Sequence, residues 1–224
     1  MDAHSVVMIG ATGAVGGTVV KTLSAMPEVT RLTLLGRRPV EGVSGTVVQK
    51  TVDVFDPKSY AEHLAGHDTA ICTLGVGTRK GMSHEEFVRI DKTCVLDFAA
   101  ACKQAGVQHF ELLGSVGANA NSPSPFLRTK GELEDGLKAL GFKRLSLFRP
   151  SMILTPTNRY GLQQALVLAI WPMLMSLLVG GLRPYRGIRL DQLGRAMALN
   201  IRGDKNGTEV LFWDDFVALA GEVA

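Results

Sequence analysis

Short runs of apolar residues alternate with longer stretches of helical spacing through residues 1–150. The first run, Val-Val-Met-Ile at 6–9, is followed by others at 32–35, from 46, at 68–74, at 109–113 and at 144–148. Runs of this kind read as strands buried in a parallel sheet. Between them, Val15, Val19, Leu23 and Met26 recur at helical spacing over 14–26, and Pro27 closes that helix. A longer helix is predicted over 84–104, with Phe87, Ile90, Cys94, Val95, Phe98 and Cys102 on one side and Gly106 placed to end it. Strands alternating with helices imply helices on both faces of the sheet, and right-handed crossovers leave a doubly wound α/β fold. After Pro150 come a loop, an apolar stretch, a helix over 190–200, a strand over 208–212 and a short helix capped at Asp214. The 224 residues are expected to form a single domain, in which residues 151–190 make a small substrate or lid lobe over the cleft at the carboxyl end of the sheet.

An apolar fraction of 46% fits a packed globular core. The net charge of +3 is mild and its arginines and lysines are scattered, so no basic stripe invites nucleic acid and a small-molecule substrate is expected instead. Cys72, Cys94 and Cys102 have no disulfide or metal spacing and lie in apolar stretches, which reads as buried thiols in a reducing compartment. The first residues carry no basic region and run straight into a strand pattern, so no signal peptide is read and a cytoplasmic location is expected. Residues 165–182 carry no charge, but Pro172 and the Gly180-Gly181 pair interrupt them. A buried or lid helix is preferred there; peripheral membrane or protein contact and a homodimer face are the alternatives, and a true span is disfavoured.

The first strand ends in Gly10-Ala11-Thr12-Gly13-Ala14-Val15-Gly16 and opens directly into a helix, the context in which a G-x-x-G-x-x-G loop holds a dinucleotide. Gly10 permits the tight turn, Gly13 lets the backbone approach a pyrophosphate, and Gly16 lets helix and strand pack closely. The helix N-terminus turns its free N–H groups to the phosphates. An NAD site usually places a carboxylate at the end of the second strand, where it binds the ribose 2′-hydroxyl. Here Gly36 occupies that place and Arg37 and Arg38 follow. Guanidinium groups bind a 2′-phosphate that a carboxylate would repel, so NADP(H) is favoured over NAD(H). Asp53, at the end of the third strand, suits either a hydrogen bond to the adenine amino group or a cap for the next element.

Further motifs follow in order: Leu35-Gly-Arg-Arg38, Thr73-Leu-Gly75, Phe87-Val-Arg-Ile-Asp91, Phe110-Glu-Leu-Leu-Gly-Ser115, Lys130-Gly-Glu132 and Phe148-Arg-Pro150. Over about residues 5–155 the chain resembles the atypical short-chain dehydrogenase/reductases, in particular their Tat-interacting oxidoreductase-like branch. The resemblance implies an NAD(P)-binding Rossmann fold in which Gly10 through Gly16 bind the pyrophosphate and Arg37 and Arg38 the 2′-phosphate. It also implies that Asp53 and Val54 flank the adenine. Leu74, Gly75 and Thr78 would line the path to the ribose, and Lys130 would hydrogen-bond the nicotinamide ribose. The segment Pro150, Ser151, Met152 and Ile153 would run beside the carboxamide, and Ser115 would polarise a substrate carbonyl.

Phe126 is the departure. It lies four residues before Lys130, where active relatives carry a tyrosine that moves the proton while hydride is transferred. No tyrosine lies between Ser115 and Lys130. Turnover would then need another acid, such as a water, or Tyr160 if the lobe folds over the site. Two functions follow: an NADP(H)-dependent oxidoreductase of a small apolar carbonyl compound, or a non-catalytic NADP(H)-binding regulatory or assembly protein that docks a partner or membrane surface. A nucleotide-sugar epimerase or dehydratase shares the fold but needs the same tyrosine. His84 and His109 begin a helix and a strand, and read as a cap or a satisfied surface group rather than as bases.

Overall fold

The computed structural model describes residues 3–43, 47–76, 81–155 and 178–221. Seven parallel strands form the main sheet: β1 (His4–Ile9), β2 (Val29–Gly36), β3 (Val47–Thr51), β4 (Thr69–Cys72), β5 (His109–Leu113), β6 (Arg144–Phe148) and β9 (Gly207–Leu211). Their spatial order is β3-β2-β1-β4-β5-β6-β9, so the chain reverses direction across the sheet between β1 and β4. In an open α/β sheet, ligands bind outside the carboxyl ends of the strands at such a switch point.

Successive side chains on each strand feed opposite layers. Val6 and Met8 join Ile71 and Phe148 under α1 (Ala14–Ser24), α5 (Leu190–Asn200) and α6 (Trp213–Ala220). Val7, Ile9, Ala70, Phe110, Leu145 and Leu147 face α3 (Cys94–Gln104) and α4 (Pro125–Ala139) on the other side. Cys72, Cys94 and Cys102 are free and buried there, as their apolar surroundings in the sequence implied.

Two local expectations change. The helix expected over 84–104 is three pieces, α2 (His84–Val88), a π-helical turn over Arg89–Thr93 and α3, and Gly106 (φ 91°) ends it as expected. The carboxyl-terminal strand and helices join the main layers: β9 pairs with β6, and Gly194 lets α5 approach α1. A Cβ at Gly194 would lie 2.6 Å from Thr18. Asp214 does not cap the last helix. Asp215 accepts the Phe212 amide at 2.8 Å, and Asp214 pairs with Arg183. A two-stranded parallel ribbon, β7 (Ile153–Leu154) with β8 (Ile188–Arg189), ties the segment after β6 to the start of α5. Most of the apolar 165–182 stretch and Tyr160 lie outside the described residues. No described helix is long and apolar enough to cross a membrane.

At the end of the sheet opposite the switch point, a polar cluster is sealed beneath α5. Asn200 donates to Glu111 at 2.8 Å and to Ser146 at 3.0 Å, Ser146 donates to Glu209 at 2.6 Å, and Arg144 binds Glu209 and the Asn200 carbonyl. His109 is buried in this cluster with its Nε2 2.9 Å from the Ser146 hydroxyl, so it is an interior group and not the surface group its strand-end position suggested. Burial pushes the Glu111 carboxyl up to about 8, the Asn200 hydrogen bond only partly offsetting it. Burial, reinforced by Arg144, lowers His109 to about 3. Glu111 therefore stabilises the fold fully only below its unfolded value, and this contribution drains away as pH rises toward 8; His109 acts oppositely, its contribution being lost as pH falls from 6.5 toward 3. Glu111→Gln is expected to raise the melting temperature at pH 9 while changing it little at pH 5. Equal shifts at both pH values would contradict the buried neutral carboxyl.

Candidate functional site: the turn after the first strand

The β1–α1 turn is built by contacts that leave no room for side chains. Gly10 has φ 85°, and a Cβ there would lie 2.5 Å from the Leu74 nitrogen. A Cβ on Gly16 would lie 2.2 Å from the Gly10 carbonyl oxygen and 2.8 Å from Thr73 Oγ1. The Thr73 amide donates to Ile9 at 3.1 Å, drawing the end of β4 against the same turn. Gly13 begins α1 without a capping side chain, and no acidic residue stands in the first turn. The helix therefore presents its positive end to the crevice with no carboxylate of its own answering it.

Ala11 and Val15 are buried beneath the turn, so only their backbone is available to a ligand; Thr12 and Gly13 are exposed, and Ala14 is half-buried. Gly10, Ala11 and Thr12 form one wall of a crevice completed by Leu35, Gly36, Arg37, Arg38, Val54 and Leu74. The two arginines are exposed and make no ion pair among the described residues. Asp53 adjoins this crevice without lining it, and its Oδ1 accepts the Phe55 amide at 2.9 Å in a local turn; it does not cap the next helical turn, Pro57–Ser59, whose cap is Asp56. Thr78 lies outside the described residues.

The other half of the site is assembled around Lys130. Its Nζ lies 2.6 Å from Asp91 Oδ1, and Asp91 Oδ2 accepts the Val76 amide at 2.9 Å. Asp91 is fully buried and Lys130 nearly so. Gly75 runs directly against the pair, since a Cβ there would lie 3.0 Å from Asp91 Oδ1 and 3.7 Å from Lys130 Nζ. Gly131 lets α4 dock on the Asn119–Ala120 backbone, where a Cβ would come within 2.1 Å. Phe126 stacks on Phe87 with centroids 5.5 Å apart, and its ring lies 6.0 Å from Lys130 Nζ. Ser115 follows β5, half-buried, its hydroxyl 3.3 Å from the Val116 carbonyl. One turn past Lys130, Glu134 is paired with Arg149 and reaches the β5 exit near Gly114. The exit of β6 is fastened alongside: the Pro150 carbonyl accepts the Val116 amide, the Met152 carbonyl accepts the Ile188 amide, and Ile153 pairs with Ile188.

Asp91 is the residue whose role the sequence reading missed. Its signal was present: Phe87, Asp91, Cys94, Phe98 and Cys102 share one helical stripe, and a carboxylate in an apolar stripe must find a partner inside.

A parallel sheet whose switch point carries a glycine-cradled helix N-terminus defines a dinucleotide-binding protein of the Rossmann class. Comparison with known proteins agrees. A family model described as NAD(P)H-binding matches residues 10–143, more than half of the chain, and the chain belongs to this family. It is 38% identical over 157 residues to rat protein HTATIP2, covering 69% of this chain and 64% of that protein, slightly less than two thirds of its length. It is 33% identical over 154 residues to the Candida albicans protein named FMP52, mitochondrial, covering 67% of each. These relatives place it on the atypical short-chain dehydrogenase/reductase branch read from the motifs. Among solved structures, MoeE5 in complex with UDP-glucuronic acid and NAD superposes with TM-score 0.71 at 18% identity, covering 92% of this chain and 75% of that one. The Thermotoga maritima UDP-glucose 4-epimerase gives 0.68 at 16% identity, covering 93% and 76%. At such identities the likeness concerns the fold alone.

Gly16→Ala should cost about 1–3 kcal/mol in urea denaturation, the usual penalty of overpacking a tight contact. The neighbouring Gly17, where an added Cβ meets nothing closer than 3.8 Å, provides the control. Gly17→Ala should be neutral or stabilising by up to about 1 kcal/mol, as expected for alanine in a helix. Equal effects would contradict the close approach at Gly16.

Proposed function

We propose that the protein is an NADP(H)-binding oxidoreductase acting on a small, uncharged, apolar carbonyl compound. The observation that carries this reading is the crevice between the glycine turn and Arg37–Arg38, with apolar walls at Leu35, Val54 and Leu74. The residues fit the coenzyme: a space cleared of side chains for a diphosphate, an uncapped helix N-terminus, and exposed guanidinium groups for a 2′-phosphate. When bound, the nicotinamide supplies the hydride chemistry. Lys130 is assigned to the nicotinamide ribose, Ser115 to the substrate carbonyl and residues 150–153 to the carboxamide side. Because Asp91 already balances Lys130, that ammonium is not a free cation for an anionic substrate, which supports a neutral one. The cytosol is our placement, supported by three unpaired thiols; the mitochondrial names of the fungal relatives mark the alternative.

A second reading is supported by Phe126. Its ring is packed flat on Phe87 where the resemblance implies a proton-donating phenol. A protein that keeps the coenzyme crevice and lacks that acid suits a non-catalytic role, with NADP(H) governing the docking of a protein partner, a second copy or a membrane surface through residues 165–182.

Fluorescence titration separates coenzymes. NADPH should bind more tightly than NADH, and Arg37→Glu with Arg38→Glu should remove the preference, a loss of about 10–100-fold for charge-assisted contacts. Equal affinities in the parent would contradict the assignment of the arginines. For the chemistry, Phe126→Tyr should raise NADPH-dependent carbonyl reduction by about 10²–10⁴-fold, the usual yield of a placed proton donor. No turnover in either form, with partner affinity responding to NADPH, would favour the second reading.

A further inference from the structure

We propose that Asp91 is a positioning residue: it holds Lys130 and the loop after β4 as one unit, so that the nicotinamide half of the coenzyme depends on a carboxylate that touches no ligand itself. This rests on the NADP(H) reading above.

A carboxylate with no exposed surface is costly to bury, and Asp91 meets the cost with two partners from distant parts of the chain. One is the Val76 amide, directly after the Leu74–Gly75 segment assigned to the path between pyrophosphate and ribose. The other is the ammonium of Lys130, the group assigned to that ribose. The carboxylate reaches both because Arg89–Thr93 forms a π-helical turn, which re-registers the helix between Phe87 and Cys94. Such turns recur at functional sites. A lysine has a flexible four-carbon stem and a compact charge, so a single short ion pair decides where its nitrogen sits. Here that pair lies against the backbone of Gly75, and the absence of a side chain at Gly75 is what admits it. A buried ion pair adds little net stability over an apolar pair of similar size. Its placement under a ligand-binding loop therefore points to orientation rather than to the strength of the core.

Asp91→Asn tests this, because the amide oxygen still serves the Val76 N–H while the charge facing Lys130 is lost. The probes are NADPH and 2′,5′-ADP, the latter carrying the adenosine half and its 2′-phosphate without the nicotinamide riboside. The variant should bind NADPH about tenfold or more weakly, as expected when a charge-assisted contact is disordered, and 2′,5′-ADP within about twofold of the parent. Lys130→Met should show the same selective loss. The double variant should bind NADPH no more weakly than Lys130→Met alone, because Asp91 acts through the lysine. The double variant leaves no unpaired buried charge, so this comparison still decides should Asp91→Asn fail to fold. Equal weakening of both probes, an unchanged affinity for NADPH, or losses that multiply in the double variant would each overturn the proposal. A parent protein that binds neither probe would contradict the coenzyme reading itself; a parent that binds both, with Asp91→Asn unaffected, overturns this inference alone.

Discussion

The site depends on a contact between backbone and backbone. At Gly10 and Gly16 the first strand, the first helix and the end of β4 come so close that a single methyl group would overlap a carbonyl oxygen or an amide nitrogen. That approach fixes the direction of α1 relative to β1, leaves its first N–H groups facing the switch point, and draws Thr73 against the turn and Leu74 into the crevice wall. Arg37 and Arg38 follow from the same packing, because β2 pairs with β1 along its length and ends beside the turn. The crevice is thus a consequence of sheet order and glycine placement, and its charge comes from two residues added at the rim.

The two halves of the site are held by different physics. Around the glycine turn the constraint is steric, and substitution there changes the fold first. Around Lys130 the constraint is electrostatic: a buried carboxylate on one helix accepts from an ammonium on another and from a loop amide. Phe126 and Phe87 close that side with stacked rings. The compensated cation beside an apolar wall is the basis on which a neutral ligand is proposed, and the source of a catalytic proton is the point on which the two functional readings divide.

Much of this was legible in the sequence because the central strands are continuous apolar runs and the glycine loop sits between a strand and a helix. Gly36, Arg37 and Arg38 could be placed from the end of the second strand, Val54 and Leu74 came from the family resemblance, and all five share one crevice with Leu35. What was not legible arose from long-range contacts. Asp91 lies within a motif, yet its role needs Lys130, 39 residues away, and a π turn that helical periodicity does not encode. His109 and Glu111 looked like ordinary strand residues, and only the arrival of Asn200 and Glu209 from the far end of the chain explains their burial. That the last strand joins β6 was equally hidden, because sequence distance does not tell which edge of a sheet a strand joins.

The central claim is that the turn at 10–16 receives a coenzyme diphosphate while Arg37 and Arg38 receive its 2′-phosphate. A crystal structure grown with NADP⁺ tests it most directly. The account predicts density for the diphosphate over the glycine turn and for the 2′-phosphate between the two guanidinium groups. A well-ordered coenzyme bound elsewhere, or a turn left empty at saturating coenzyme, would contradict it.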